Sequence, residues 1–164
     1  MGEAGEGEAL QLRPHHILDV VTDFEPDEEP GYRRAPGENG VRTFVRMVSG
    51  SLEFPVELVV GPDFICAPCA HLRQDGTCDR MLERHDPPEP MDVYNDRLDR
   101  RIFRYLGLSP GTVMTLREFL VLVDERVPGI EQVCTHPTQS REARLAGLIR
   151  GLARLGVRRG TGRD

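Results

Sequence analysis

At 164 residues with 38% hydrophobic content and no tryptophan, the chain holds one domain with a modest core, to whose folding a bound metal would contribute. A net charge of -6 excludes general nucleic-acid binding, which needs a basic surface. No apolar run approaches the roughly 18 residues of a membrane span and no cleavable leader is evident, so a cytoplasmic protein with reduced thiols is expected, without a membrane partner.

Residues 1–10 read as a disordered acidic leader. Met1 to Pro30 carries nine acidic residues and one arginine, whereas Arg141 to Asp164 carries seven arginines and two acidic residues. These are solvated ends, or a docking tail for an acidic partner. All 21 basic residues are arginine, the coding bias of a GC-rich bacterial genome.

Pro14 at a first helical position, followed by HHILDVVTDF, predicts a helix over 14–23 that carries His15, His16 and Asp19. Residues 25–40, rich in proline and glycine, read as a loop. Val41, Phe44, Val45 and Val48 recur at helical spacing and predict a helix that stops near Gly50. Pro55 to Val60 is a strand ending at Gly61-Pro62, and Asp75-Gly76 is a turn.

Tyr94, Leu98, Ile102, Tyr105 and Leu106 predict a helix over Met91 to Leu106 with Gly107 as its stop. Its polar residues Asp96, Arg97, Asp99, Arg100 and Arg101 form either an anion-docking surface or intrahelical pairs such as Asp96 with Arg100. Thr115-Leu-Arg-Glu118 is a capping box opening a helix through Val127, closed by Pro128-Gly129. Residues 133–140 are a loop, Ser140 caps a last helix ending at Gly156, and 158–164 form a basic tail. The expected fold is mainly α with a minor β component, a single compact domain over 11–157 with a cysteine-ligated metal loop.

Three of the four cysteines, Cys66, Cys69 and Cys78, fall within thirteen positions. A C-x-x-C pair lets two sulfurs of one tight turn reach a single ion or cluster, and soft thiolates select zinc or iron–sulfur centres. A closed site needs a fourth ligand. Cys134 has the right softness but is distant in sequence, and Asp19 lies beside two histidines. His71 and His136, each two positions after a cysteine, are either ligands, hydrogen-bond donors to thiolates, or exposed loop residues. His16 shares a helical face with Asp19, so the two can pair and move protons beside a metal, which makes them the candidate catalytic residues. No phosphate-binding loop, dinucleotide fingerprint or serine nucleophile elbow is present.

LRPHHILD near the start, DFICAPCAHL with the later Cys78, and YNDRLDRRIFRYLGL together resemble a small bacterial and archaeal family, domain of unknown function 1284, described as iron–sulfur binding. The resemblance runs from about Leu12 to Leu108. It implies four cysteine ligands, one of them at the position held here by Asp19, so this chain departs from the pattern there. Cys134 is then expected to replace it, giving a cluster, 4Fe-4S in type, on Cys66, Cys69, Cys78 and Cys134.

The expected role is electron transfer or service to a redox or enzyme partner protein. One alternative is an enzyme with an open iron beside His16 and Asp19, acting on a small anionic or sulfur-containing substrate. The other is a zinc-stabilised interaction module with the arginine-rich last helix as its docking face.

Overall fold

Leu12 ends a strand and Pro14 begins a helix, so the chain passes from sheet to helix across Arg13 alone. The computed structural model describes residues 7–24 and 40–158. β1 (Leu10–Leu12) pairs in parallel with β2 (Pro55–Leu58), in the register Leu10 to Val56 and Leu12 to Leu58. β5 (Val113–Thr115) lies antiparallel on the other side of β2, which gives a mixed three-stranded sheet in the order β1-β2-β5. A second ladder joins the two-residue strands β3 (Met81–Leu82) and β4 (Glu89–Pro90).

The described residues form five α-helices beside these two small sheets, so they are mainly α with a minor β part. α1 (Pro14–Thr22) has proline in its first turn, where the missing N–H costs nothing. α2 (Gly40–Gly50) buries Phe44, Val45 and Val48, three of the four residues of its predicted stripe. α3 (Met91–Leu106) ends at Gly107, whose φ of 69° is the left-handed geometry of a glycine C-cap.

α4 (Leu116–Asp124) begins with the capping box: Thr115 Oγ1 accepts from the Glu118 N–H at 3.1 Å while Glu118 accepts from the Thr115 N–H at 2.8 Å. α5 (Arg141–Arg154) is capped by the Ser140 hydroxyl, and a short 3-10 turn, Ile130–Gln132, precedes the 133–140 loop. The expected loop over 25–40 lies outside the described residues except for Gly40, as do most of the leader and of the basic tail.

Leu12, Ile17, Leu18, Phe44, Val56, Leu58, Ile102, Phe119, Leu120, Leu148 and Leu152 form one continuous core. Each such side chain contributes about 1.5–3 kcal/mol on burial. α1 packs against both α3 and α5, and this central placement brings its polar residues into the protein interior. No helix among the described residues is long and apolar enough to cross a membrane.

Candidate metal centre

The chain leaving β2 runs back alongside β1. Val59 N–H donates to Leu12 O and Phe64 N–H to Gln11 O, which sets Asp63 beneath the start of α1. Asp63 Oδ2 accepts from the Arg13 N–H at 2.7 Å and lies 2.8 Å from His16 Nδ1, while Oδ1 accepts from the N–H groups of Ile65 and Cys66, both at 3.0 Å. One buried carboxylate thus ties the entry of α1 to the first turn of the cysteine loop.

Burial works against ionisation of Asp63, but the His16 charge and these donors outweigh it and hold its carboxyl at about 2. Burial likewise opposes protonation of His16, and the Asp63 and Asp19 carboxylates overcome it and raise the imidazole above its ordinary value. The Cys66 thiol is pushed up to about 12, by burial first and by the Asp63 charge second. A metal ion at Cys66 would reverse that balance, because a coordinating thiol is deprotonated outright.

Gly40, the first residue of α2, fixes the loop from the other side. A Cβ there would lie 2.6 Å from Ile65 Cα and 2.7 Å from Ile65 O, so only glycine lets α2 start against the backbone that leads into Cys66. The Cys69 N–H donates to Cys66 O at 2.9 Å, closing the C-x-x-C turn. Leu72 and Cys78 form an isolated antiparallel bridge around the expected turn, in which Gly76 has φ 85°. Cys66 and Cys78 are half-buried and Cys69 is exposed.

Cys134 lies inside the core at 0% exposure, the expected loop residue held beneath its loop. Arg144, 1% exposed, donates through Nε to Cys134 O and through Nη1 to Gln139 Oε1. Its Nη2 donates both to Asp19 Oδ1, at 2.9 Å, and to Cys134 Sγ, at 3.1 Å. Burial pushes the Cys134 thiol up to about 12, against the opposing charge of Arg144.

His15 and His16 are both fixed by buried carboxylates. His15 donates its backbone N–H to Asp99 Oδ1 at 3.0 Å and sets Nδ1 2.8 Å from the same oxygen, while Arg13 Nη1 donates to Asp99 Oδ2 and to Asp96 Oδ1. The two imidazole rings lie 4.4 Å apart. His71 stands in the loop beside Asp79, exposed, and His136 is half-buried with Nδ1 facing the Thr138 N–H and hydroxyl.

The polar side expected of α3 is therefore not one surface. Asp99 is fully buried because it falls in phase with Ile102, Phe103 and Leu106, and Asp96 pairs with Arg13 instead of Arg100. Arg97 bonds Glu89. Arg144, counted from sequence in the basic face of the last helix, belongs to the interior.

Sequence reasoning missed Asp63 and Arg13 as site residues and placed Asp99 on a polar helix surface. The signals were present: Asp63 stands three residues before Cys66, Asp99 interrupts an apolar stripe, and Arg13 adjoins the histidine pair.

Among the described residues one group has metal-ligand proximity: a ring nitrogen of His16, a carboxylate oxygen of Asp63 and Cys66 Sγ, all within 4.8 Å of one another. Within this mainly helical domain, a histidine held by a buried carboxylate stands beside a cysteine-rich turn. The chain belongs to the family described as protein of unknown function (DUF1284), whose sequence model matches residues 31–138. That match takes in all four cysteines and stops short of α1. No curated protein and no solved structure matches the chain.

Proposed function

We propose that the protein binds an iron–sulfur cluster, 4Fe-4S in type, through Cys66, Cys69, Cys78 and Cys134, and serves electron transfer or a partner enzyme. The observation that carries this reading is the meeting of Asp19 and Cys134 on Arg144 Nη2. Where the family resemblance calls for a thiolate at position 19, a thiol from another part of the chain stands beside that position.

Four thiols are the donor set that such a cluster takes. His16 and Asp19 stand one helical turn apart on α1, the first beside Cys66 and the second beside the Arg144 that holds Cys134. Thiols from two separate segments thus border one face of a single helix. A cluster held there supplies one-electron transfer. The chain's own residues do the rest: Asp63 and Gly40 fix the Cys66 turn, and Arg144 offers positive charge to the Cys134 sulfur.

Anaerobic purification with visible absorption and iron, sulfide and zinc analysis of one sample tests the reading. Matched iron and sulfide with a broad band near roughly 400 nm support it. A colourless protein with about one zinc per chain would replace it with a structural zinc module.

A further inference from the structure

We infer that His16 and Cys66 form a binding site for a single divalent transition-metal ion, of the zinc or ferrous class, with Asp63 as the residue that orients the histidine. The inference does not depend on the cluster reading; the two have one ligand in common, the Cys66 thiol, so their occupancies exclude one another at that sulfur.

Hydrogen-bond accounting decides the role of Asp63. An ionised carboxylate offers about four lone-pair sites. All four are matched, by the Arg13, Ile65 and Cys66 N–H groups and by His16 Nδ1. Ligation by Asp63 would break one of these bonds at a side chain with no exposure. Ligation by His16 breaks none. With Nδ1–H donated to Asp63, the imidazole lone pair sits on Nε2, the carboxylate–histidine arrangement that metal-ligating histidines adopt.

The ring is also held from its other side, since His15 packs against it at 4.4 Å and 52° and is itself anchored to Asp99. The His16 side chain keeps 19% exposure, which leaves an ion a route of entry. Spacing favours a single ion. Two ligands on one metal, with bonds of about 2.0 Å to nitrogen and about 2.3 Å to sulfur, lie at most about 4.3 Å apart, and a ring nitrogen of His16 and Cys66 Sγ lie within 4.8 Å, so a small side-chain rotation brings the pair onto one ion.

The test is cobalt(II) titration of metal-free, reduced protein, followed by competition with zinc(II). Sulfur-to-cobalt charge transfer in the near ultraviolet reports the thiolate, and the visible d–d bands report the coordination sphere. The wild type is expected to bind one equivalent with both signals. Cys66→Ser should lose the charge-transfer band. His16→Ala should weaken cobalt binding by about tenfold or more and alter the d–d bands. His16→Gln keeps an amide donor for Asp63 but no imidazole, so it should weaken binding equally while preserving the circular dichroism spectrum.

Wild-type affinity in both His16 variants, or a charge-transfer band that survives Cys66→Ser, would overturn the inference. Iron and sulfide analysis after reconstitution reports separately on the cluster.

Discussion

Asp19 and Cys134 are bridged by one nitrogen: Arg144 Nη2 donates to the Asp19 carboxylate at 2.9 Å and to the Cys134 sulfur at 3.1 Å. The two residues stand 115 positions apart in the chain and arrive on different elements. Each is by sequence a candidate for the missing fourth ligand, and the fold makes them neighbours.

That neighbourhood predicts a rescue. Cys134→Ser should lose the cluster, and adding Asp19→Cys to the same chain should restore it, because the new thiol would stand beside the same guanidinium. Iron-to-sulfide stoichiometry and visible absorption after anaerobic reconstitution check this. A cluster that persists in Cys134→Ser alone would remove Cys134 from the ligand set.

Arg144→Met tests the bridge as a structural element. The substitution leaves the Cys134 carbonyl without its buried donor and Asp19 without its cation, and is expected to cost about 3 kcal/mol. Urea denaturation of the metal-free protein measures it, and a loss under about 1 kcal/mol would show that Arg144 does not organise this region.

The seam between α1 and α5 is closed by backbone contact. A Cβ on Gly151 would lie 1.8 Å from Val21 O, and one on Gly147 would lie 2.8 Å from Thr22 O. Gly151→Ala should therefore destabilise the protein by more than about 2 kcal/mol, despite the gain of about 1 kcal/mol in helix propensity. Gly50→Ala, at a glycine whose Cβ would meet nothing within 4 Å, provides the control and should be close to neutral. Thermal melts of both variants make the comparison.

Asp99 gives the acid limb of stability a definite sign. Burial works against its ionisation, but His15 first and Arg13 after it hold its carboxyl below the ordinary value. Its contribution is thus fully present above the unfolded pKa of about 4 and is lost as pH falls through the folded one. Asp99→Asn should be less stable than the wild type at neutral pH by about 2–3 kcal/mol, and the gap should narrow below about pH 4. A gap that stays constant with pH would mean that the fold does not lower the Asp99 pKa.

The helices were readable because their signals are local. Pro14, the Thr115–Glu118 box, Gly107 and Ser140 each act within a turn of their own position, and all four mark observed boundaries. β1 and β5 escaped notice because three-residue strands carry too little alternation to register, and their pairing depends on segments more than forty residues away. The cysteine cluster and the histidine pair were visible as motifs. What joins them was not: Asp63 and Asp99 look like ordinary surface acids until the fold supplies their donors, and Arg144 reads as a solvated residue on a basic helix.

The parallel pairing of β1 with β2 reaches beyond the sheet. His16 follows Leu12 by four residues and Asp63 follows Leu58 by five, and Leu12 and Leu58 are partners across the ladder. The two strands thus act as a ruler with two arms, one reaching the imidazole and the other the carboxylate. Adding or deleting a single residue in either arm would leave every side chain of the site chemically intact and yet uncouple histidine from acid. The spacing between motif and strand is therefore as much a part of the site as the motif itself.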